Sequence, residues 1–206
     1  SVECGDSSMK ILDNINHTVR EDLQDTMQKG SRISIAAACF SIYAYQELKK
    51  QLEDIAELRF IFTSPTFVQE NTPKERREFY IPKLTREKSL YGTEFEVRLR
   101  NELTQKALAK ECADWVRRKV KFRSNVSGEQ MPGFMTVGES SYMPISGFTT
   151  VDLGCERGNN AYYPVQRTEA FENGRYFLSL FDEIWNDSSR LQDVTDIVLQ
   201  SISTAY

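Results

Sequence analysis

The sequence predicts an α/β fold, because strand-like and helix-like apolar patterns alternate along the chain. Residues 32–40 form a short run of β-branched and small residues, which is typical of a strand buried on both faces. Leu48, Leu52 and Ile55 then mark one face of a helix, and residues 58–63 are again strand-like. A strand, a helix and a second strand in this order predict a right-handed crossover with parallel pairing of central strands.

The segment before this unit is predicted to be an amphipathic helix of about five turns. Ser8 is a candidate N-cap and Gly30 supplies the stop. Apolar residues recur between them every three or four positions, at Ile11, Leu12, Ile15, Val19, Leu23 and Met27. The first strand of the sheet would then begin at residue 32.

After residue 63 the chain continues with a long connection and then with further helices and strands. Pro65, Pro73 and Pro82 punctuate a charged segment that extends to about residue 92, and connections of this length are more often functional than structural. The later elements predicted are a helix at 93–116, a strand at 119–123, two short strands or a hairpin at 131–150, a strand at 161–165, a helix ending near Trp185 and a last helix over 191–202.

Length and composition are those of a single packed domain over residues 1–206. The chain is 40% hydrophobic and 27% charged, so it is neither a disordered nor a low-complexity sequence. It has no apolar run near the ~20 residues of a membrane span and no signal-peptide pattern, so we expect no membrane partner and a cytoplasmic location. The first residue is Ser1 rather than Met, which suggests a processed chain or a fragment of a larger protein.

No motif for a metal or a nucleotide cofactor occurs, and we expect no cofactor in this segment. The cysteines at 4, 39, 112 and 155 lie far apart, and His17 is the single histidine, so neither a zinc site nor a histidine-dependent nucleophile is expected. The chain also lacks G-x-x-x-x-G-K-[ST] and G-x-G-x-x-G, the usual backbone cradles for nucleotide phosphates.

Charge is distributed unevenly. The net charge is −4, but residues 73–123 carry fifteen Lys and Arg against eight Asp and Glu, a local surplus of +7. The densest cluster contains Arg117, Arg118, Lys119, Lys121 and Arg123. Such cations can neutralise nucleic-acid phosphates. They can also interact with a helix dipole and solvate the outer face of an edge strand, and the charge pattern alone favours this second interpretation.

Two stretches of the sequence carry a family resemblance. The first is G-S-R-I-S-I-A-A-A-C-F-S-I-Y-A-Y-Q-E-L at 30–48 with L-R-F-I-F-T-S at 58–64. The second is S-G-F-T-T-V-D-L-G at 146–154, followed by N-N-A at 159–161 and a helix ending in F-D-E-I-W at 181–185. Together they resemble phospholipase D-like domains that precede the motor of some Swi/Snf-type bacterial helicases. Residues 146–154 are similar to that family's G-S-x-N-F-T-x-x-G-L turn, with Gly147 in place of Asn.

The resemblance implies a mixed β-sheet flanked by helices on both faces, a homodimer, and a parent protein that is an ATP-dependent DNA helicase and therefore a hydrolase. It also implies that catalysis has been lost. Members of the family cleave phosphodiesters with a histidine nucleophile and a phosphate-binding lysine on the strand before the turn. Residues 133–143 read G-F-M-T-V-G-E-S-S-Y-M and contain neither, so no catalytic residue is predicted.

We therefore expect a non-catalytic module that binds or targets nucleic acid, most simply DNA, beside a helicase motor domain. The residues expected to contact phosphates are Arg117, Arg118, Lys119, Lys121 and Arg123, with Lys83, Arg86 and Lys88 as a second group. Tyr80 and Tyr91 could stack on single-stranded bases, although an aromatic residue in a loop is more often a packing residue.

Two other classes of function stay open at this point. Asp152, Glu156 and Glu139 could bind Mg²⁺ in an atypical nuclease or phosphodiesterase, although their spacing gives this no support. The acidic C-terminal helices could instead present their apolar faces to a protein partner or to a second copy of the chain. Amphipathic helices, however, normally bury that face in their own core.

Overall fold

The computed structural model describes residues 9–65, 102–169 and 173–204, which form one β-sheet and five helices. The strands are β1 Met9–Leu12, β2 Arg32–Ala37, β3 Glu57–Phe62, β4 Val120–Asn125, β5 Phe134–Val137, β6 Ser140–Met143, β7 Val165–Thr168 and β8 Leu191–Asp193. The helices are α1 Val19–Thr26, α2 Ile42–Leu52, α3 Glu102–Lys119, α4 Asn173–Trp185 and α5 Thr195–Thr204.

The sheet is mixed, as the sequence analysis predicts. Its strand order is β1-β7-β6-β5-β2-β3-β4-β8. The neighbours β2, β3 and β4 are parallel, and every other neighbouring pair is antiparallel. The parallel β2-α2-β3 unit and the central position of its strands are therefore confirmed. We call the end at which β2, β3 and β4 finish the carboxyl edge, and the opposite end the amino edge.

Helices cover both faces of the sheet. Successive side chains of a strand point to opposite faces, and apolar residues of the central strands are buried on each face. Ile33 and Phe60 belong to the larger core cluster, which packs the sheet against α1, α2, α3 and α5. Ile61 and Phe134 belong to the second cluster, beneath α4. The predicted fold class, an α/β fold with a mixed sheet flanked by helices on both faces, is confirmed.

Phe40 lies at the centre of the larger core. Its side chain is fully buried, and its ring centroid is between 5.3 and 6.5 Å from those of Phe60, Trp115, Phe122 and Phe148. These rings come from β3, α3, β4 and the segment after β6. One aromatic side chain at the end of β2 thus joins four separate parts of the chain.

The prediction of a long N-terminal helix is wrong in its first half. Residues 9–12 form β1, an edge strand antiparallel to β7. Asp13 Oδ1 accepts hydrogen bonds from the N–H groups of Ile15, Asn16 and His17. Asn14 adopts a left-handed φ of 59°. The Thr18 hydroxyl then caps α1 by accepting from Glu21 N–H. This turn and cap separate two elements whose apolar spacing suits one helix.

Two later predictions also differ in position. The strand predicted at 161–165 lies later, as β7 at Val165–Thr168. The first residues of the helix predicted at 191–202 form β8, Leu191–Asp193. Thr195 begins α5, and its hydroxyl accepts a hydrogen bond from Phe122 N–H, which ties this helix to β4. The helix predicted at 93–116 is described from residue 102 and ends at Lys119; residues 66–101 lie outside the described ranges.

Phe40→Ala is expected to lower the free energy of unfolding by about 3–5 kcal/mol, because it leaves a cavity among four aromatic rings. Tyr162→Ala is the matched control, since that ring is 84% exposed and its loss should change stability by no more than about 0.5 kcal/mol. Urea unfolding monitored by tryptophan fluorescence measures both. Equal stability losses in the two variants would contradict the assigned core.

Candidate functional site

The segment 146–154, which resembles the phospholipase D-like turn, lies at the carboxyl edge against the end of β2. Phe40 and Phe148 form a parallel β-bridge, and Phe148 N–H donates to the Cys39 carbonyl at 2.8 Å. Ala38 N–H donates to the Ser146 carbonyl at 2.9 Å. The turn therefore continues the pairing of the sheet beyond its strands. In open α/β sheets this is the edge at which ligands bind.

A buried carboxylate organises this turn. Asp152 is 6% exposed, and its Oδ2 accepts hydrogen bonds from the N–H and the hydroxyl of Thr149, at 3.1 and 2.6 Å. Asp152 N–H donates back to the Thr149 hydroxyl, as in the capping box of a helix. The Tyr163 phenol donates to Asp152 Oδ1 at 2.6 Å. Both carboxylate oxygens are thus occupied by groups of the chain itself.

Gly147 occupies the position at which the phospholipase D-like pattern has Asn. A Cβ atom added at Gly147 would lie 2.6 Å from Cys39 Sγ and 2.9 Å from Asp152 Oδ2. Both distances are far below van der Waals contact, so the space that an Asn side chain would need is filled. The replacement of Asn by Gly is therefore part of a packed arrangement in which Cys39 and Asp152 close the turn.

The strand positions expected to carry a catalytic histidine and lysine carry small hydroxyl and apolar side chains instead. Thr136 of β5 and Ser141 of β6 are directly opposite each other, and both are completely buried. Neither residue has the imidazole nitrogen with which the family's histidine attacks a phosphate. These two positions therefore do not supply the family's histidine and lysine.

Each of the carboxylates considered for Mg²⁺ has a partner within the chain. Glu156 accepts a hydrogen bond from the Thr150 hydroxyl at 2.9 Å, and Glu139 forms an ion pair with Arg175 at 3.2 Å. Asp152 is satisfied by Thr149 and Tyr163. Within residues 9–65, 102–169 and 173–204, no group of three or more Asp, Glu, His or Cys residues is arranged to hold a metal ion. The structure therefore gives the atypical metal-dependent nuclease no support.

The first three cations of the predicted phosphate-binding cluster lie at the amino edge. Arg117, Arg118 and Lys119 end α3 directly before Val120 begins β4, and β4 runs parallel to β2 and β3. The resembling turn lies at the opposite edge. The structure therefore does not bring the predicted cation cluster and the turn into one site.

Arg117 and Arg118 are engaged only in ion pairs at the surface. Arg117 pairs with Asp114 at 2.9 Å and Arg118 with Glu53 at 2.8 Å, and both arginine side chains are about half exposed. Burial acts to raise the pKa of Glu53, but hydrogen bonds from Arg118 and Tyr45 outweigh it and hold that pKa below its usual value. Exposed ion pairs contribute only about 0–1 kcal/mol each. Both guanidinium groups can therefore exchange a carboxylate for a phosphate at little cost.

Lys119 and Arg123 have structural roles. Lys119 Nζ donates to the Ile55 carbonyl at 2.8 Å, which joins the end of α3 to the loop after α2. The Arg123 guanidinium lies 4.1 Å from the centroid of the Trp185 ring and donates to the Trp185 carbonyl. A cation stacked and bonded in this way would lose both contacts if it turned towards a phosphate. Lys119 therefore ties α3 to the α2–β3 loop, and Arg123 ties α4 to β4.

Three exposed lysines have no such engagement. Lys121, from the predicted cluster, forms no hydrogen bond or ion pair with another described residue, and the same holds for Lys106 and Lys110 on α3. The sequence analysis missed Lys106 and Lys110. Their spacing from each other and from Arg117, four and then seven residues, places all three on one face of a helix and could have revealed them.

A groove runs between this face of α3 and α5. Its volume is about 310 Å³, and Lys106, Lys110 and Arg117 form its rim together with Asp114. Ala109 and Ala113 of α3 and Ile202 of α5 form its apolar floor. The small alanine side chains leave the groove open, and three cations against one carboxylate make it electropositive.

Residues 66–101 lie outside the described ranges, and they include the second group of predicted phosphate contacts and both loop tyrosines. These are Lys83, Arg86, Lys88, Tyr80 and Tyr91. Their assignment stays a prediction. None of the helices in the described ranges has the length and hydrophobicity of a membrane span.

No protein-family model matches the sequence, and no curated protein does either. The solved structures that the chain is similar to include two at 11% identity. One is a phosphatidylserine synthase from Haemophilus influenzae, of the phospholipase D superfamily, with a TM-score of 0.46. The other is TrmBL2, an archaeal chromatin protein with its own mode of DNA binding, with a TM-score of 0.44. The alignments cover 91% and 90% of this chain but 40% and 54% of those chains, about half of their length. Neither likeness bears on the function of this chain.

Gly147→Asn is expected to lower the free energy of unfolding by about 1–3 kcal/mol, the usual cost of overpacking, and to create no phosphodiesterase activity. Combining it with Cys39→Ala should recover part of that loss, because the nearest clashing atom is removed. Urea unfolding of the two single variants and the double variant measures this coupling. Strictly additive losses would show that Cys39 does not fill the space.

Tyr163→Phe is expected to cost about 1.5–3 kcal/mol at pH 7, because it removes a hydrogen bond to a buried carboxylate. Burial, and next the charge of Asp152, raise the pKa of the Tyr163 phenol well above its usual value. The neutral phenol therefore stabilises the folded chain fully below about pH 10, the pKa of an unfolded tyrosine, and this stabilisation is lost as the pH rises further. The stability difference between wild type and variant should narrow between pH 9 and about pH 11; a constant difference would contradict the assignment.

Proposed function

We propose that this chain is a non-catalytic nucleic-acid-binding module that contacts phosphates through the exposed face of α3. The observation that carries this proposal is a row of exposed cations on one face of the helix, Lys106, Lys110 and Arg117, that extends for about 17 Å, with Arg118 beside its end. Two of them have no acidic partner among the described residues, and two have only surface ion pairs. DNA is the expected nucleic acid.

The net charge of −4 does not oppose this function. At physiological ionic strength the Debye length is about 8 Å, so charges on remote parts of the surface are largely screened from a ligand on α3. Among the α3 carboxylates whose side chains the structure describes, Glu111 pairs with Lys49 and Asp114 with Arg117. The local surplus of cations therefore governs the attraction of a polyanion.

Catalysis is not part of the proposal, because residues 133–143 lack the histidine and lysine of the family that the chain resembles, and the polar side chains of the turn bind one another. The Thr149, Asp152 and Tyr163 side chains form a closed set of hydrogen bonds. A side chain at Gly147 would displace Cys39 and Asp152. A domain that keeps a basic surface while its turn is filled in is suited to positioning a nucleic acid for another domain.

Four further parts of the proposal rest on the resemblance and on composition. These are attachment to an ATP-dependent helicase motor, homodimerisation, a single domain over residues 1–206 and a cytoplasmic location. Light scattering on the purified chain tests the dimer, and co-purification with the motor domain of its parent protein tests the attachment. A monomer at micromolar concentration would remove the dimer from the proposal without affecting the α3 surface.

The double variant Lys106→Ala/Lys110→Ala is expected to weaken DNA binding and to reduce its salt dependence. Each phosphate contact contributes about 0.9 to the slope of log K against log salt for duplex DNA, so two lost contacts should lower that slope by about 1.8. Lys29→Ala/Lys50→Ala is the matched control, because it removes the same charge from exposed lysines outside α3. Fluorescence anisotropy with labelled DNA at ~50 to 200 mM salt measures both.

The comparison of the two double variants decides the location of the surface. Loss in the α3 variant with near wild-type binding in the control supports the proposal. Equal losses would mean that binding follows net charge alone, and no binding by the wild-type chain at ~50 mM salt would end the proposal. The same measurement tests whether Lys121 on β4 also contacts a phosphate. If it does, Lys121→Ala should lower the slope of log K against log salt by about 0.9.

A further inference from the structure

The loop between the turn at 146–154 and β7 carries an exposed aromatic side chain, Tyr162. Tyr162 is 84% exposed, while the next residue, Tyr163, is anchored inward. The Tyr163 phenol donates to Asp152 Oδ1 at 2.6 Å and accepts from Ser146 N–H at 2.9 Å. The loop is therefore held at the carboxyl edge by one tyrosine and presents the other to solvent.

The neighbours of Tyr162 are polar. Arg157, Asn159 and Asn160 are exposed, and the Arg157 guanidinium forms no hydrogen bond or ion pair with another described residue. The loop is also closed on itself by a hydrogen bond from Asn160 N–H to the Arg157 carbonyl. A flat aromatic ring, an unengaged cation and amide side chains are thus collected on a short, anchored segment.

We propose that residues 157–162 form a stacking site for an unpaired nucleobase, with the Tyr162 ring against the base and Arg157 against the adjoining phosphate. The proposal rests on the nucleic-acid binding proposed above and names its preferred ligand, a single strand. Every base has a π-face, so an exposed aromatic ring beside a cation binds single strands with little sequence preference. The bases of an intact duplex are stacked on each other and do not offer this face.

The surroundings of Tyr162 favour a nucleic acid over a protein partner. The aromatic anchors of protein interfaces lie near the centre of a packed patch that excludes water. Tyr162 is instead flanked on its own loop by exposed polar residues, Arg157, Asn159 and Asn160.

The experiment compares Tyr162→Ala, Tyr162→Phe and wild type in anisotropy titrations with a labelled ~20-nucleotide single strand and a duplex of the same length. Tyr162→Ala should weaken single-strand binding by about 5-fold or more and duplex binding by less than about 2-fold, while Tyr162→Phe keeps the affinity of the wild type. Tyr176→Ala, which removes another exposed tyrosine from α4, is the matched control and should leave both affinities unchanged. Arg157→Ala should lower the single-strand salt slope by about 0.7.

Single-strand binding that is unchanged in Tyr162→Ala overturns the stacking site, and so does an equal loss with single strand and duplex. If Lys106→Ala/Lys110→Ala weakens binding in that case, the proposed function stands and only the stacking site fails. A wild-type chain that binds neither ligand overturns both. Circular dichroism and thermal melting of each variant confirm that the differences do not arise from unfolding.

Discussion

The pairing of segment 146–154 with the end of β2 is the constraint on which the carboxyl edge depends. Because Phe148 is bridged to Phe40, the backbone of Gly147 lies against Cys39, and a Cβ there would collide with Cys39 Sγ. The same pairing places the Asp152 carboxylate where it accepts hydrogen bonds from Thr149 and Tyr163. Phe148 and Phe40 also share the aromatic core, so the geometry of the turn is stabilised by burial as well as by hydrogen bonds.

Local signals explain what the sequence could predict. The β2-α2-β3 unit was predictable because a β-branched run, a helical stripe and a second apolar run are each complete within about a dozen residues. The first helix was not predictable in full, since Met9 and Ile11 suit a helix stripe as well as an edge strand. Hydrogen bonds of Asp13 and the cap at Thr18 decide between these structures, and they act at single positions rather than through a period.

The candidate site was less predictable because it depends on which charges find partners across the fold. Arg118 meets Glu53 from 65 positions away, and Arg123 meets Trp185 from 62 positions away. A count of cations along the chain cannot separate a residue held in this way from one that is available. The local density of charge favoured residues 117–123, whereas the unpaired lysines, Lys110 and Lys106, lie about two and three turns before Arg117 on the same helix. The absence of histidine and lysine from 133–143, by contrast, is visible without any structure.

Three contacts tie the C-terminal end of α3 to α2 and the loop that follows it. Trp115 Nε1 donates to the Leu52 carbonyl, Arg118 pairs with Glu53, and Lys119 donates to the Ile55 carbonyl. Any polyanion that draws Arg118 away from Glu53 removes one of these three ties. Occupancy of the α3 surface and local opening of the α2–α3 contact are then linked equilibria: a ligand that competes for Arg118 makes the junction easier to open, and a junction already open binds that ligand more tightly.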